Sequence, residues 1–331
     1  MKPESSWCTA GTPHKNGTVR IFNDLTRRGK GRSVSAPTKL VVPRVERGIY
    51  KWSFADVSFE VDSERGARII AFRFGTENIL SGPDVHALNF GSTFWTSPQA
   101  DWHWPPVAEL DSQPYLVRGG GADLWFESAP GPLGIAVAKQ FRVHADDETV
   151  DVEYVMENRS RAVRSVAPWE ISRLPVGGLT FFPATTSAEA RSQLKVTEAT
   201  GAIWFDNEPP ATEEAQKVFA SGSEGWIAHL DIARRMLLMK TYPRLQPGQQ
   251  APGEAEIELY GNPAHTYIEV EQQGPFRPLP PGEKTSWTVT WRLRHLPPGI
   301  EAAVGNKDLL ALARALKARD QSGGDRIDGI S

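Results

Sequence analysis

The sequence predicts an all-β protein, either a sandwich or a barrel. Three observations carry this. From Tyr50 onward, apolar and polar residues alternate at period two in run after run. Turn signals punctuate the runs: Gly177–Gly178, Pro209–Pro210, Gly261–Asn262–Pro263 and Pro280–Pro281–Gly282. Helical periodicity stays weak until the C-terminus. No repeat of about 20–50 residues appears, which argues against a propeller or solenoid.

The elements follow in order. Residues 1–47 hold ten Lys/Arg and three acids, a net of +7 that leaves −10 for the rest of the chain. With almost no apolar periodicity, they read as a basic, disordered extension. Trp52, Phe54, Val57, Phe59 and Val61, a turn at Glu64–Gly66 and a second apolar run read as a hairpin. LGIAVAKQFRVHADDETVDVEYVMENRS gives two strands about the turn at Asp146–Asp147. LTFFPA, GWIAHLDIARRMLLMKTY, EAEIELYG, TYIEVEQQG and TSWTVTWRLRHL give more. The β domain is expected over 48–300 and a C-terminal helix with a frayed tail over 301–331. Asn306 is the N-cap candidate, and Leu309, Leu312 and Leu316 form one stripe.

Composition narrows the function classes. The chain has 331 residues with 37 Lys+Arg against 40 Asp+Glu, a balance that argues against nucleic acid as the main partner. No apolar run reaches the roughly 20 residues of a membrane helix. The start, MKPESSWCTAGTPHKNG, lacks the apolar core of a signal peptide, so a soluble, cytoplasmic chain is expected. One cysteine, Cys8, excludes an internal disulfide and any Cys-cluster metal site. No two histidines have metal-ligand spacing, and no metal or cofactor is expected. Eleven tryptophans against six tyrosines are more indoles than a sheet core alone explains.

Three segments carry candidate chemistry. NFGSTFWTSPQADWHWPP places Trp95, Trp102 and Trp104 close to Gln99, Asp101 and His103. Indoles stack on pyranose faces while the polar groups bond hydroxyls, so a small sugar or glycan is the expected ligand. The competing reading is a loop pinned to the sheet by indole anchors. In APWEISRLPVGG, alternation puts Glu170 and Ser172 on one strand face and Trp169, Ile171 and Arg173 on the other. Glu170 is either a ligand contact or a solvated surface residue. In YIEVEQQG, Glu269 and Glu271 share a face. Two unsolvated carboxylates raise each other's pKa, which suits acid–base work, whereas a solvated polar face does not.

The order of these segments, from GARIIAFRFGTENIL through NFGSTFWTSPQADWHWPP and VEYVMENRSRAVRSVAPWEISRLPVGG to YIEVEQQGPFRPLPPGEKTSWTVTWRL, resembles the galactose-mutarotase-like superfamily. Within it, the chain is most similar to the DUF4380 group, over roughly residues 50–296. The resemblance implies a supersandwich of two large antiparallel sheets with a short C-terminal helix. It also implies a sugar site on a concave sheet face and aldose 1-epimerase-like chemistry. By that resemblance Glu271 or Glu269 is the base and His103 the acid. Glu170 stands where a second family histidine is expected. Gln99, Asp101, Trp95, Trp102, Trp104, Arg173 and Glu269 hold the substrate. The alternative is a carbohydrate-binding module without turnover. Neither the sugar nor the oligomeric state follows from the sequence.

Overall fold

The computed structural model describes residues 40–184, 196–206 and 216–324, with side chains up to 320 and none at 216. Most of the expected basic extension, the Pro209–Pro210 turn and the last residues of the tail lie outside these. Leu40 and residues 44–46, expected within the extension, belong to the sheets instead. Leu40 bridges to His144, and Arg44–Glu46 forms a strand paired with Ile49–Phe54. There Val45 lies opposite Tyr50, a β-branched/aromatic pair that favours strand pairing.

The strands build two large antiparallel sheets. The first runs, in spatial order, Arg44–Glu46, Ile49–Phe54, Val57–Asp62, Arg68–Phe74, Ser92–Ser97, Arg164–Pro175, Tyr267–Gln273, Ile257–Gly261 and Gln216–Ala220. The second runs Thr197–Ala199, Ala202–Asp206, Gly178–Phe182, Trp226–Asp231, Met236–Thr241, Lys284–His295, Thr149–Asn158, Ile135–His144, Asp123–Glu127 and Leu116–Gly120. The expected hairpin about Glu64–Gly66 is present, joining Val57–Asp62 to Arg68–Phe74, but its expected first strand, over 52–61, is two strands. Val57 pairs with Phe54 across a tight turn whose Ala55 has φ 45°.

The core lies between the sheets, where Trp52, Phe59, Phe72, Phe126, Phe141 and Trp291 interlock with Val150, Val152, Ile257 and Leu259. Burying each such side chain contributes about 1.5–3 kcal/mol. The outer face of the second sheet is covered by the C-terminal helix, Lys307–Gly324. Asn306 caps it, its side-chain oxygen accepting the Leu309 N–H at 2.9 Å. Leu309, Leu310, Ala313 and Leu316 pack on Leu179, Phe181, Trp204 and Trp226, with Leu312 at the margin. Among the described residues, the outer face of the first sheet carries no such apolar layer. A separate small cluster of Trp95, Trp169, Ile171 and Trp102 sits there instead, surrounded by charge.

Candidate functional site on the outer face of the first sheet

Cross-strand register decides which side chains meet. Trp169 pairs with Trp95 on one side and Gln273 on the other, Ile171 with Thr93 and Glu271, and Arg173 with Glu269. One strand further, Glu258 pairs with Glu271 and Tyr260 with Glu269, and beyond these Lys217 pairs with Tyr260. Directly paired residues share a sheet face. The indoles, Arg173, Glu269, Glu271, Glu258 and Lys217 therefore occupy one surface, the one turned away from the core.

The charges there are buried and joined. Glu271 is 1 % exposed and accepts the Trp169 indole N–H at 2.9 Å through Oε2; Lys217 Nζ lies 3.5 Å from the same oxygen. Lys217 also pairs with Glu258 at 2.5 Å. Arg173 donates from Nε to Glu269 at 2.8 Å and from one terminal nitrogen to Thr93 at 2.7 Å. Among the described residues, the buried polar atoms on this face that make no hydrogen bond include Arg173 Nη2, Glu271 Oε1 and Gln273 Oε1. Buried polar atoms are nearly always bonded, so orphans clustered on one face mark a place where a hydroxylated ligand or water would complete the network.

Electrostatics follow from the burial. Loss of water pushes the Glu271 carboxyl up to about 7, against the pull of Lys217. Burial, reinforced by Glu271, holds Glu258 well above the carboxylate range. Burial works against the Lys217 ammonium, but Glu271 and Glu258 outweigh it and raise its pKa. Two indole faces are already covered by cations: Lys217 lies 5.0 Å from the Trp169 ring centre and Arg173 5.1 Å from that of Trp95. The indole left open is Trp104, 58 % exposed, edge-on to Trp95 at 6.1 Å.

The tryptophan loop is tied through Glu254 to the Tyr267–Gln273 strand, and its indoles are tied to its own flanks. The Gln99 backbone N–H donates to Glu254 at 2.9 Å, and Gln273 donates to the other oxygen of Glu254 at 3.2 Å. The Trp102 indole N–H donates to the Thr96 carbonyl at 2.7 Å. The Trp95 indole N–H donates to Asp111 at 2.8 Å, and Arg68 clamps the same carboxylate at 3.1 Å. The loop thus binds its own anchors and still presents Trp104.

Not every expected residue arrives. Glu170 lies on the opposite face of its strand, inside the sandwich and 0 % exposed. This corrects its expected place at the site, and the alternation that separates it from Trp169 and Arg173 is the cause. There it accepts from Lys240 at 2.8 Å, from Tyr154 and Gln272, and from the Trp291 indole at 3.3 Å. It is the anchor of an inter-sheet polar network. His103 has a left-handed backbone, φ 57°, and an exposed ring. No hydrogen bond, ion pair or ring contact joins it to Glu271. Asp101 is exposed at the loop's 3₁₀ turn, Gln99–Asp101.

Site residues that the sequence did not single out include Lys217, Glu258, Glu254 and Gln273. The signal was present for the glutamates, since EAEIELYG repeats the acid alternation of YIEVEQQG. Lys217 had none, because its pairing depends on a non-sequential strand order. Tyr267 shares the face, accepts from Asn89 at 3.1 Å and meets the His86 ring edge-on at 5.7 Å. Among the described residues no group of His, Cys, Asp and Glu has the arrangement of a metal site.

Comparisons with known proteins agree with this architecture. A galactose mutarotase-like protein from Lactobacillus casei is 13 % identical, with a TM-score of 0.51 over 75 % of this chain and 100 % of its own. A candidate aldose 1-epimerase from Escherichia coli K12 is 13 % identical, at 0.52 over 75 % and 99 %. Another, from Klebsiella pneumoniae, is 10 % identical, at 0.52 over 85 % and 84 %. At such identities the likeness shows the fold, which is galactose mutarotase-like. No curated protein matches. Residues 71–294 match the model of the family described as Domain of unknown function (DUF4380), and the chain belongs to that family.

Proposed function

We propose that the protein binds a monosaccharide or the end of a glycan on the outer face of the first sheet, and that Glu271 acts there as the base of an aldose 1-epimerase-like proton transfer. The observation that carries this reading is Glu271 itself: buried, with one oxygen held by Trp169 and the other unpartnered. A carboxylate titrating near neutrality can take the proton from the anomeric hydroxyl and return it. Arg173 Nη2 and Gln273 Oε1 are ready to bond further hydroxyls, and Trp104 offers a pyranose-sized apolar face. Because Glu271 is 1 % exposed, a sugar reaches it only by displacing neighbouring groups.

A second reading, binding without turnover, is favoured by one observation. Epimerisation also needs a donor to the ring oxygen, and His103, the expected donor, is exposed on the loop with no side-chain bond among the described residues to hold its ring in place. The first experiment is a tryptophan-fluorescence titration with a panel of hexoses and pentoses. Saturable quenching by at least one sugar is expected; a flat response across the panel overturns both readings.

A further inference from the structure

A cleft of about 460 Å³ is walled in part by the tryptophan loop. Its walls come from the end of the Ser92–Ser97 strand and the turn after it, from the start of the Arg164–Pro175 strand, and from Ile135, Pro252 and Phe276. None of Arg173, Glu269, Glu271 or Lys217 lines it. The volume suits a small organic molecule.

Several of its polar groups are unspent. Arg164 makes no side-chain hydrogen bond or ion pair among the described residues, and its Nε is buried without a partner. Ser97 is 1 % exposed, and its hydroxyl is likewise unpartnered. Asp101 contributes a carboxylate that no cation among the described residues holds. The remaining lining is mostly apolar: Leu133, Ile135, Val163, Val166 and Phe276. A mostly apolar hollow with a few convergent, unsatisfied polar groups is the usual anatomy of a ligand site.

We infer that this cleft is a second ligand site, distinct from the outer-face cluster, and that it takes a small hydroxylated carboxylic acid of the uronate or aldonate class. The guanidinium of Arg164 matches a carboxylate in a paired, planar geometry. The Asp101 carboxylate and the Ser97 hydroxyl accept from ligand hydroxyls. Phe276 and Pro252 pack against the carbon skeleton. Asp101 also repels a compact anion such as phosphate, which has no hydroxyl-bearing body to place beside it.

Calorimetric titration of the full chain with galacturonate, gluconate, galactose and acetate tests this. Galacturonate or gluconate binds at millimolar concentration or better, and galactose and acetate do not enter this site. Arg164→Gln weakens the acid about tenfold or more, the loss expected for one charge-assisted pair. Val163→Trp, at an exposed position of the mouth (57 % exposed), blocks it without touching the core. Trp104→Ala leaves it unchanged, so failure here is distinct from failure of the outer-face site. Absence of acid binding to the wild type overturns the inference. So does binding that survives both Arg164→Gln and Val163→Trp in folded protein.

Discussion

Trp169 and Glu271 stand 102 positions apart in the chain, and the indole N–H of the first donates to the carboxylate of the second at 2.9 Å on adjacent strands. That bond fixes one Glu271 oxygen and leaves the other without a partner. It joins the aromatic loop system to the acidic strand pair, and the functional reading depends on this junction.

The first prediction concerns pH. Glu271 must be ionised to act as a base, so any catalysed anomer exchange rises as pH passes through about 7. Stability moves the opposite way. A carboxyl whose folded pKa lies above its unfolded value favours the fold when protonated. That contribution is complete below the unfolded value of 4.5 and fades as pH rises through about 7. Urea titrations across this window are expected to show a smaller loss for Glu271→Gln than for the wild type. An equal slope in both removes Glu271 as the titrating group.

Trp104→Ala separates binding from anchoring. The ring is largely in solvent, so the variant keeps the wild-type melting temperature within about 1–2 °C, as surface substitutions do. Sugar affinity falls several-fold, reflecting about 1 kcal/mol of stacking. A large drop in stability with unchanged affinity would make Trp104 an anchor.

Glu170→Gln has the reverse profile. It leaves Lys240, 1 % exposed, without its counter-charge, and breaking a buried pair costs about 3–5 kcal/mol. Chemical denaturation reads that loss. Sugar affinity of the folded fraction stays at the wild-type value, because Glu170 faces the interior. Lost affinity at unchanged stability would return Glu170 to the site.

His229 makes the second sheet sensitive to acid. Burial lowers its pKa from 6.5 to about 4, so the ring is neutral in the fold. Its contribution is complete above the unfolded value and is lost as pH falls from 6.5 towards 4. The loss amounts to about 3 kcal/mol at 1.36 kcal/mol per unit. His229→Asn keeps a partner for Thr180, which lies 3.0 Å from the ring, and flattens that slope. An unchanged acid limb in the variant contradicts the assignment.

The period-two pattern made the two sheets readable, and a capping asparagine with spaced leucines marked the helix. The parity switch between Phe54 and Val57 held the signature of a glycine-free turn, but alternation over one long run masked it. At the site, strand alternation correctly separated Glu170 from Arg173, while the family resemblance drew Glu170 back toward it. Which face met solvent and which met the core depended on strand order, a non-local property. The tyrosine, lysine and indole that stabilise Glu170 come from the other sheet, and no local spacing announces them.

Anomer exchange of fresh α-hexoses and pentoses, followed by polarimetry at about pH 8, where Glu271 is ionised, addresses the acidic cluster most directly. Wild-type protein is predicted to speed equilibration of at least one sugar, and Glu271→Gln to match buffer while still showing sugar-dependent fluorescence quenching. Wild type at the buffer rate for every sugar, or a variant as fast as the wild type, would contradict Glu271 as the base.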